Sequence, residues 1–139
     1  MYNISSEALA VLQSDAPQGI SIHVNGTGGE LNLTESDFVG DITITRRCVA
    51  GEKIEIGTAI ASEFKATLQN YDGRFDGFVF EGAELFVRFS VPVGSGVEYI
   101  PIGLLYNRRA APCKLSTVSI TALDRMARFN RSYDTTTAY

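Results

Sequence analysis

The 139-residue sequence has little of the chemistry that metal proteins and many enzymes use. It contains one histidine, two cysteines and no tryptophan. A tetrahedral zinc site needs four ligands from Cys, His or carboxylate side chains, and His23 with the distant Cys48 and Cys113 cannot provide the usual sets. His23 falls on the polar face of a predicted strand, so we expect a surface histidine. The sequence therefore predicts no metal site.

Signals for catalysis and for bound cofactors are equally scarce. The glycine-rich segment 26–29 lies between two predicted strands rather than at the start of a helix, which excludes a phosphate-binding loop. Nothing marks two of the 16 acidic residues as a facing pair of the kind that glycoside hydrolysis requires. Asp72, Asp76 and Glu81 lack the spacing of a calcium loop and are typical of turns. We predict a non-enzymatic chain with no catalytic residue and no cofactor.

Long apolar runs are also missing. No run approaches the roughly 18 residues that span a bilayer, and the N-terminus lacks the basic region of a signal peptide. We therefore expect synthesis in a cytoplasm and no membrane contact. In a reducing compartment Cys48 and Cys113 are expected to be buried thiols, although the sequence leaves a disulfide between them open.

Basic residues are absent from the first third of the chain. Residues 1–45 contain six acidic residues and no Lys or Arg, whereas residues 108–139 contain six basic and two acidic residues. The net charge of −4 argues against nucleic-acid binding, which needs a larger basic surface. The asymmetry instead favours the steering of complementary protein surfaces, including copies of one chain. Simple solvation of both ends is the alternative.

The sequence begins with the pattern of a short helix over residues 5–13. Ser5 is placed as its N-cap, and Ile4 and Leu9 are spaced as a hydrophobic staple. The side chains that we expect to be buried are Ile4, Ala8, Val11 and Leu12. Such a helix is marginal alone and must dock on another element.

Alternation of apolar and polar residues dominates the rest of the chain. Phe64, Ala66 and Leu68 alternate with polar neighbours, which is the period of a half-buried strand. Pro92 is expected to end the strand that precedes it, and Pro101 to mark an edge or a bulge. The predicted strand segments are 20–24, 31–33, 42–45, 54–56, 64–68, 85–91, 99–106 and 115–122.

Together these segments predict a mainly β domain, α+β by strict count. We expect an antiparallel β-barrel or sandwich of about seven strands with two short helices. The second helix is predicted over 123–129, because Leu123, Met126 and Ala127 recur at helical spacing. One domain would cover 1–130, and residues 131–139 would begin a linker to a missing downstream region.

Four segments, taken in order, resemble the N-terminal domain of tail hub proteins from long-tailed phages and prophages. These baseplate proteins are similar to the tail-associated lysin and tail-endopeptidase group. The segments are 41–48; 54–64 with 68–70; 80–87; and 102–106 with 120–126. The resemblance covers most of residues 20–130 and includes no catalytic motif.

The resemblance implies a structural domain of the virion tail, made in the bacterial cytoplasm. It would assemble into a ring, a trimer in the full-length protein, with tail tube or distal tail proteins and copies of itself. It would bind no nucleic acid, membrane or small-molecule substrate. Two charged sets would supply the contacts: Arg108, Arg109, Arg125 and Arg128 against Glu30, Glu35 and Asp37.

Two other classes of function remain open on the sequence. A carbohydrate-binding β-sandwich used for adhesion fits the strand pattern, although the chain has no Trp on which a sugar could stack. A small hydrolase would require a cleft lined by two facing carboxylates. Specific glycan binding would favour the carbohydrate-binding module, and a cleft lined by two carboxylates would favour the hydrolase.

Overall fold

The computed structural model describes residues 3–16, 18–46, 62–94, 96–108, 113–114 and 116–128. Within these ranges the chain forms one α-helix, eight strands and two 3-10 turns. The helix α1 is Ser6–Leu12, and the turns are Glu35–Asp37 and Arg125–Arg128. The strands are β1 Gly19–Gly26, β2 Gly29–Thr34, β3 Thr43–Thr45, β4 Glu63–Gln69, β5 Glu84–Val93, β6 Gly96–Asn107, β7 Cys113–Lys114 and β8 Thr117–Leu123.

All strands belong to one antiparallel sheet with the order β2-β1-β5-β6-β8-β4-β3, and β7 pairs with β8. The segment after β2 reaches the far side of this order, where Phe38 pairs with Leu68 of β4. The Val39 amide donates to the Thr67 carbonyl at 2.8 Å. The two ends of the strand order therefore approach each other, and the sheet curls like a barrel. The predicted mainly β class is confirmed.

The core lies on one face of every long strand. In β4 the side chains of Phe64, Ala66 and Leu68 are buried, as the alternation predicted. Ile120 in β8 and Leu85 in β5 meet them from other strands of the same cluster. Each large side chain buried in this way contributes about 1.5–3 kcal/mol, so the period-two pattern sets both the fold and most of its stability.

The two prolines of the β5–β6 hairpin behave differently. Pro101 lies at a bulge, as predicted: Val87 pairs with Gly103 and Arg88 with Pro101, which leaves Ile102 as the additional residue. Pro92 does not end β5. It pairs with Val97, and the strand continues to Val93, because a proline is tolerated where its missing amide is not required by the ladder.

Helix α1 begins as predicted but packs differently. The Ser5 side chain accepts a hydrogen bond from the Ala8 amide at 3.1 Å, which confirms the N-cap. Of the expected apolar stripe only Ala8 is buried; Ile4 is exposed, and Val11 and Leu12 are half-buried. The physical reason is that α1 lies over the end of β5 and is held in part by polar bonds from Ser5 to Glu98.

The structure corrects the second helix. Leu123 is the last residue of β8, and a 3-10 turn, Arg125–Arg128, takes the place of the helix predicted over 123–129. Asp124 causes the change of direction, because its carboxylate accepts the amides of Ser62 at 2.8 Å and Met126 at 2.9 Å. The spacing that predicted a helix therefore describes a strand end followed by one tight turn.

Some predictions fall outside the described residues: the strand at 54–56, Cys48 and the proposed linker 131–139. The single-domain boundary at residue 130 therefore stays a prediction. No helix within the described ranges is long and apolar enough to cross a bilayer.

Candidate protein interface

The acidic candidates lie at the β2 end of the sheet. Glu30 is on β2, and its exposed carboxylate is 3.9 Å from His23 Nε2. Glu35 begins the 3-10 turn that follows β2 and is also exposed. It borders an open depression of about 320 Å³ whose apolar floor includes Ile20, Phe38 and Phe89. These two carboxylates are exposed and available to a partner, and they lie at opposite ends of β2.

Asp37 has a different role from the other two acidic candidates. Its side chain is largely buried, and one carboxylate oxygen accepts the Thr34 amide at 2.8 Å. The other oxygen forms an ion pair with Arg74 at 2.7 Å. Asp37 therefore completes a capping box for the turn after β2, and its charge is used within the chain.

Two basic candidates lie where β6 and β8 meet. Arg125 donates from Nε to the Tyr106 hydroxyl at 2.7 Å, and its guanidinium lies 5.4 Å from the centroid of that ring. Arg108 is exposed just beyond β6 and lines a groove of about 480 Å³ with Lys65 and Glu63. Arg108 and Arg125 are both exposed, and their charged guanidinium groups stay in contact with water.

The remaining basic candidates are not placed by the structure. Arg109 lies outside the described residues, and of Arg128 only the backbone, at the end of its 3-10 turn, is described. The role of Arg109 and Arg128 in a protein contact therefore stays a prediction. Glu30 on β2 and Arg125 beyond β8 are separated by three intervening strands of the sheet, so these two residues belong to different surfaces.

One carboxylate near the β6–β8 junction, Asp124, serves local structure. Glu81, Asp124 and Arg108 line a depression of about 280 Å³ beside Tyr106. Both oxygens of Asp124 already accept backbone amides. Across the described ranges no three His, Cys, Asp or Glu side chains are grouped closely enough to hold a metal ion.

Sequence reasoning missed one surface, the outer face of β5. Within the predicted strand 85–91, the alternate positions Leu85, Val87 and Val91 are buried, whereas Phe89 of the same set is 38% exposed. Phe86 lies on the opposite face and remains 36% exposed. The available signal was a phenylalanine on the strand face that also carries Glu84 and Arg88. An aromatic side chain gains no hydrophobic free energy while it faces water.

Comparison with solved structures gives a fold likeness. The chain is similar to a chain of the structure described as "Virion of native gene transfer agent (GTA) particle", with a TM-score of 0.56 and 10% identity. The likeness covers 92% of this chain but 47% of that one, so the present chain spans about half the length of its structural neighbour. No family model and no curated protein matches the sequence.

Proposed function

We propose that this chain is a structural domain of a phage or prophage tail, acting in the tail hub or baseplate without catalysis. The observation that carries the proposal is the fold likeness to a virion chain over nearly the whole domain. The order of segments that resembles tail hub N-terminal domains supports it independently. The domain would join a ring with tail tube or distal tail proteins and carry downstream regions.

The separation of charge supports assembly through unlike surfaces. A ring requires heterologous contacts, in which one patch of a subunit meets a different patch of its neighbour. Glu30 and Glu35 lie at the β2 side of the sheet, whereas Arg108 and Arg125 lie at the β6–β8 junction. We propose that these two pairs meet between neighbouring subunits; Asp37 is left out because its carboxylate is engaged internally.

The location can be tested on particles. We expect gold-labelled antibodies against this chain to mark one end of the tail on virus-like particles purified from the organism that encodes it. The measurement is immuno-electron microscopy, with pre-immune serum as the control. Labelling of cell envelopes with none on particles would contradict the proposal, and a random distribution over the capsid would contradict the tail location.

The contact can be tested by reversing charge. We expect Arg108→Glu with Arg125→Glu to reduce incorporation of the chain into particles by about tenfold or more, because like charges facing each other cost several kcal/mol. Adding Glu30→Arg with Glu35→Arg should restore incorporation. Quantitative mass spectrometry of purified particles measures the incorporation, and Asp15→Arg, a charge reversal at an exposed position after α1, is the control. Unchanged incorporation of the first variant would remove these residues from the contact.

A further inference from the structure

The outer face of the β5–β6 hairpin carries a band of exposed apolar side chains. Phe86 pairs across the two strands with Leu104, and Pro92 pairs with Val97, so each pair shares one face. Phe86, Leu104, Tyr99 and Val97 are 36%, 38%, 44% and 51% exposed. Large apolar side chains grouped on neighbouring strands mark an interaction surface more often than single exposed ones do.

Arg88 lies in the middle of this band. Its guanidinium carbon is 4.6 Å from the centroid of the Tyr99 ring and 5.7 Å from that of Phe86. One terminal nitrogen donates to the Ser21 hydroxyl at 3.2 Å, while the buried Nε has no hydrogen-bond partner. Arginine fixed between aromatic rings is the composition of interface hot spots, where Tyr, Trp and Arg are enriched.

Two charges on this face have no ion-pair partner among the described residues: Arg88 and Glu84. Both lie on β5, two positions to either side of Phe86 and on the same face. With a rise of about 3.3 Å per residue, each is about 7 Å from Phe86 along the strand. The strand therefore presents a negative charge, an aromatic ring and a positive charge at equal intervals.

This pattern is complementary to itself when reversed. Consider a two-fold axis that lies between two such faces and runs perpendicular to β5 at Phe86. Rotation about this axis places β5 of the second copy antiparallel over β5 of the first. Phe86 then meets Phe86 of the copy, and Glu84 and Arg88 meet their opposite charges twice. Isologous contacts have this property, because residue i meets j while j meets i.

We propose that the outer face of β5 and β6 is a homodimer interface, centred on Phe86, whose occupant is a second copy of this chain. The inference does not rest on the proposed tail function, since its residues are separate from Glu30, Glu35, Arg108 and Arg125. The apolar band supplies the buried area, and the paired Glu84 and Arg88 set the antiparallel orientation.

Charge exchange within β5 tests the proposal. The purified chain should sediment as a dimer at tens of micromolar concentration. Glu84→Arg alone, or Arg88→Glu alone, places like charges opposite each other at two sites, so the dimer dissociation constant should rise by about a hundredfold or more. The double variant Glu84→Arg with Arg88→Glu exchanges the two charges and should restore the dimer. Sedimentation equilibrium measures all four proteins.

Controls separate folding from association. Circular dichroism must show native β structure for each variant; if loss of the Ser21 contact prevents Arg88→Glu from folding, Glu84→Arg carries the test. Lys65→Glu reverses a charge on β4 and should leave the dimer intact. A monomeric wild type at millimolar concentration, or a double variant that stays monomeric, would overturn the proposal. A dimer dissociation constant that neither single variant changes would overturn the proposal. That result would leave the tail function standing, because the tail function rests on other residues.

Discussion

Two buried asparagines hold the segment between β4 and β5. Asn70 donates to the Asp76 carboxylate at 2.6 Å and accepts the Phe75 amide at 3.0 Å, while Asn107 donates to the Phe80 carbonyl at 2.9 Å. The sequence marked Asp72 and Asp76 as typical of turns, but it gave no sign that Asn70 beside them is buried. A single polar residue in a polar segment has no periodicity, so only the folded chain reveals which amide is an internal partner.

We expect Asn70→Ala to lower the free energy of unfolding by about 1–3 kcal/mol, because the Phe75 amide and the Asp76 carboxylate each lose a buried partner. Urea denaturation followed by circular dichroism measures the change. Asn25→Ala removes an exposed amide from β1 and should alter stability by less than about 0.5 kcal/mol. Equal losses for the two variants would contradict the role given to Asn70.

At the scale of elements, the docking of α1 involves one acidic residue of β6, Glu98. The Glu98 carboxylate accepts both the hydroxyl and the amide of Ser5, the N-cap of the helix. Hydrogen bonds to the ionised form, first from the Ser5 side chain and then from its backbone, lower the pKa of Glu98 below its usual 4.5. The same residue therefore docks the helix and links its docking to pH.

Because the folded pKa of Glu98 is lowered, its contribution to stability is present above pH 4.5 and is lost as pH falls through the folded value. We expect Glu98→Gln to be less stable than the wild type at pH 7 and nearly equal to it at pH 2. Urea titrations at both pH values measure the difference, with Asp15→Asn as the control. A constant difference between the two proteins would contradict the linkage.

The elements also show what periodicity can and cannot predict. Alternation in β4 and β8 was decisive because one face of each strand is buried along its whole length. The helix expected at 123–129 failed because helical spacing over one turn carries little free energy, and the capping of backbone amides by Asp124 overrides it. Among the acidic candidates, sequence alone could not separate the exposed Glu30 from the internally paired Asp37.

For the whole molecule, the sheet consists of two parts joined at few places. The strands β2-β1-β5-β6 meet β8-β4-β3 through the pairs Tyr106–Leu123 and Asn107–Ala122. The second junction is the crossing segment, where Phe38 pairs with Leu68 and the Val39 amide bonds to Thr67. Sequence patterns predicted the strands but not these junctions, because long-range register depends on how distant faces pack.

Removing the Val39 amide tests how strongly this junction closes the sheet. We expect Val39→Pro to lower the free energy of unfolding by about 1–3 kcal/mol, because the Thr67 carbonyl loses its donor. Amide exchange should increase in β3 and β4 more than in β5, since the first two lie beside the opened junction. Val39→Ala keeps the amide and should exchange like the wild type. If the backbone amides of Val39→Pro and Val39→Ala exchange at the same rates, core packing holds the curled sheet. The crossing segment then only covers the edge of the sheet.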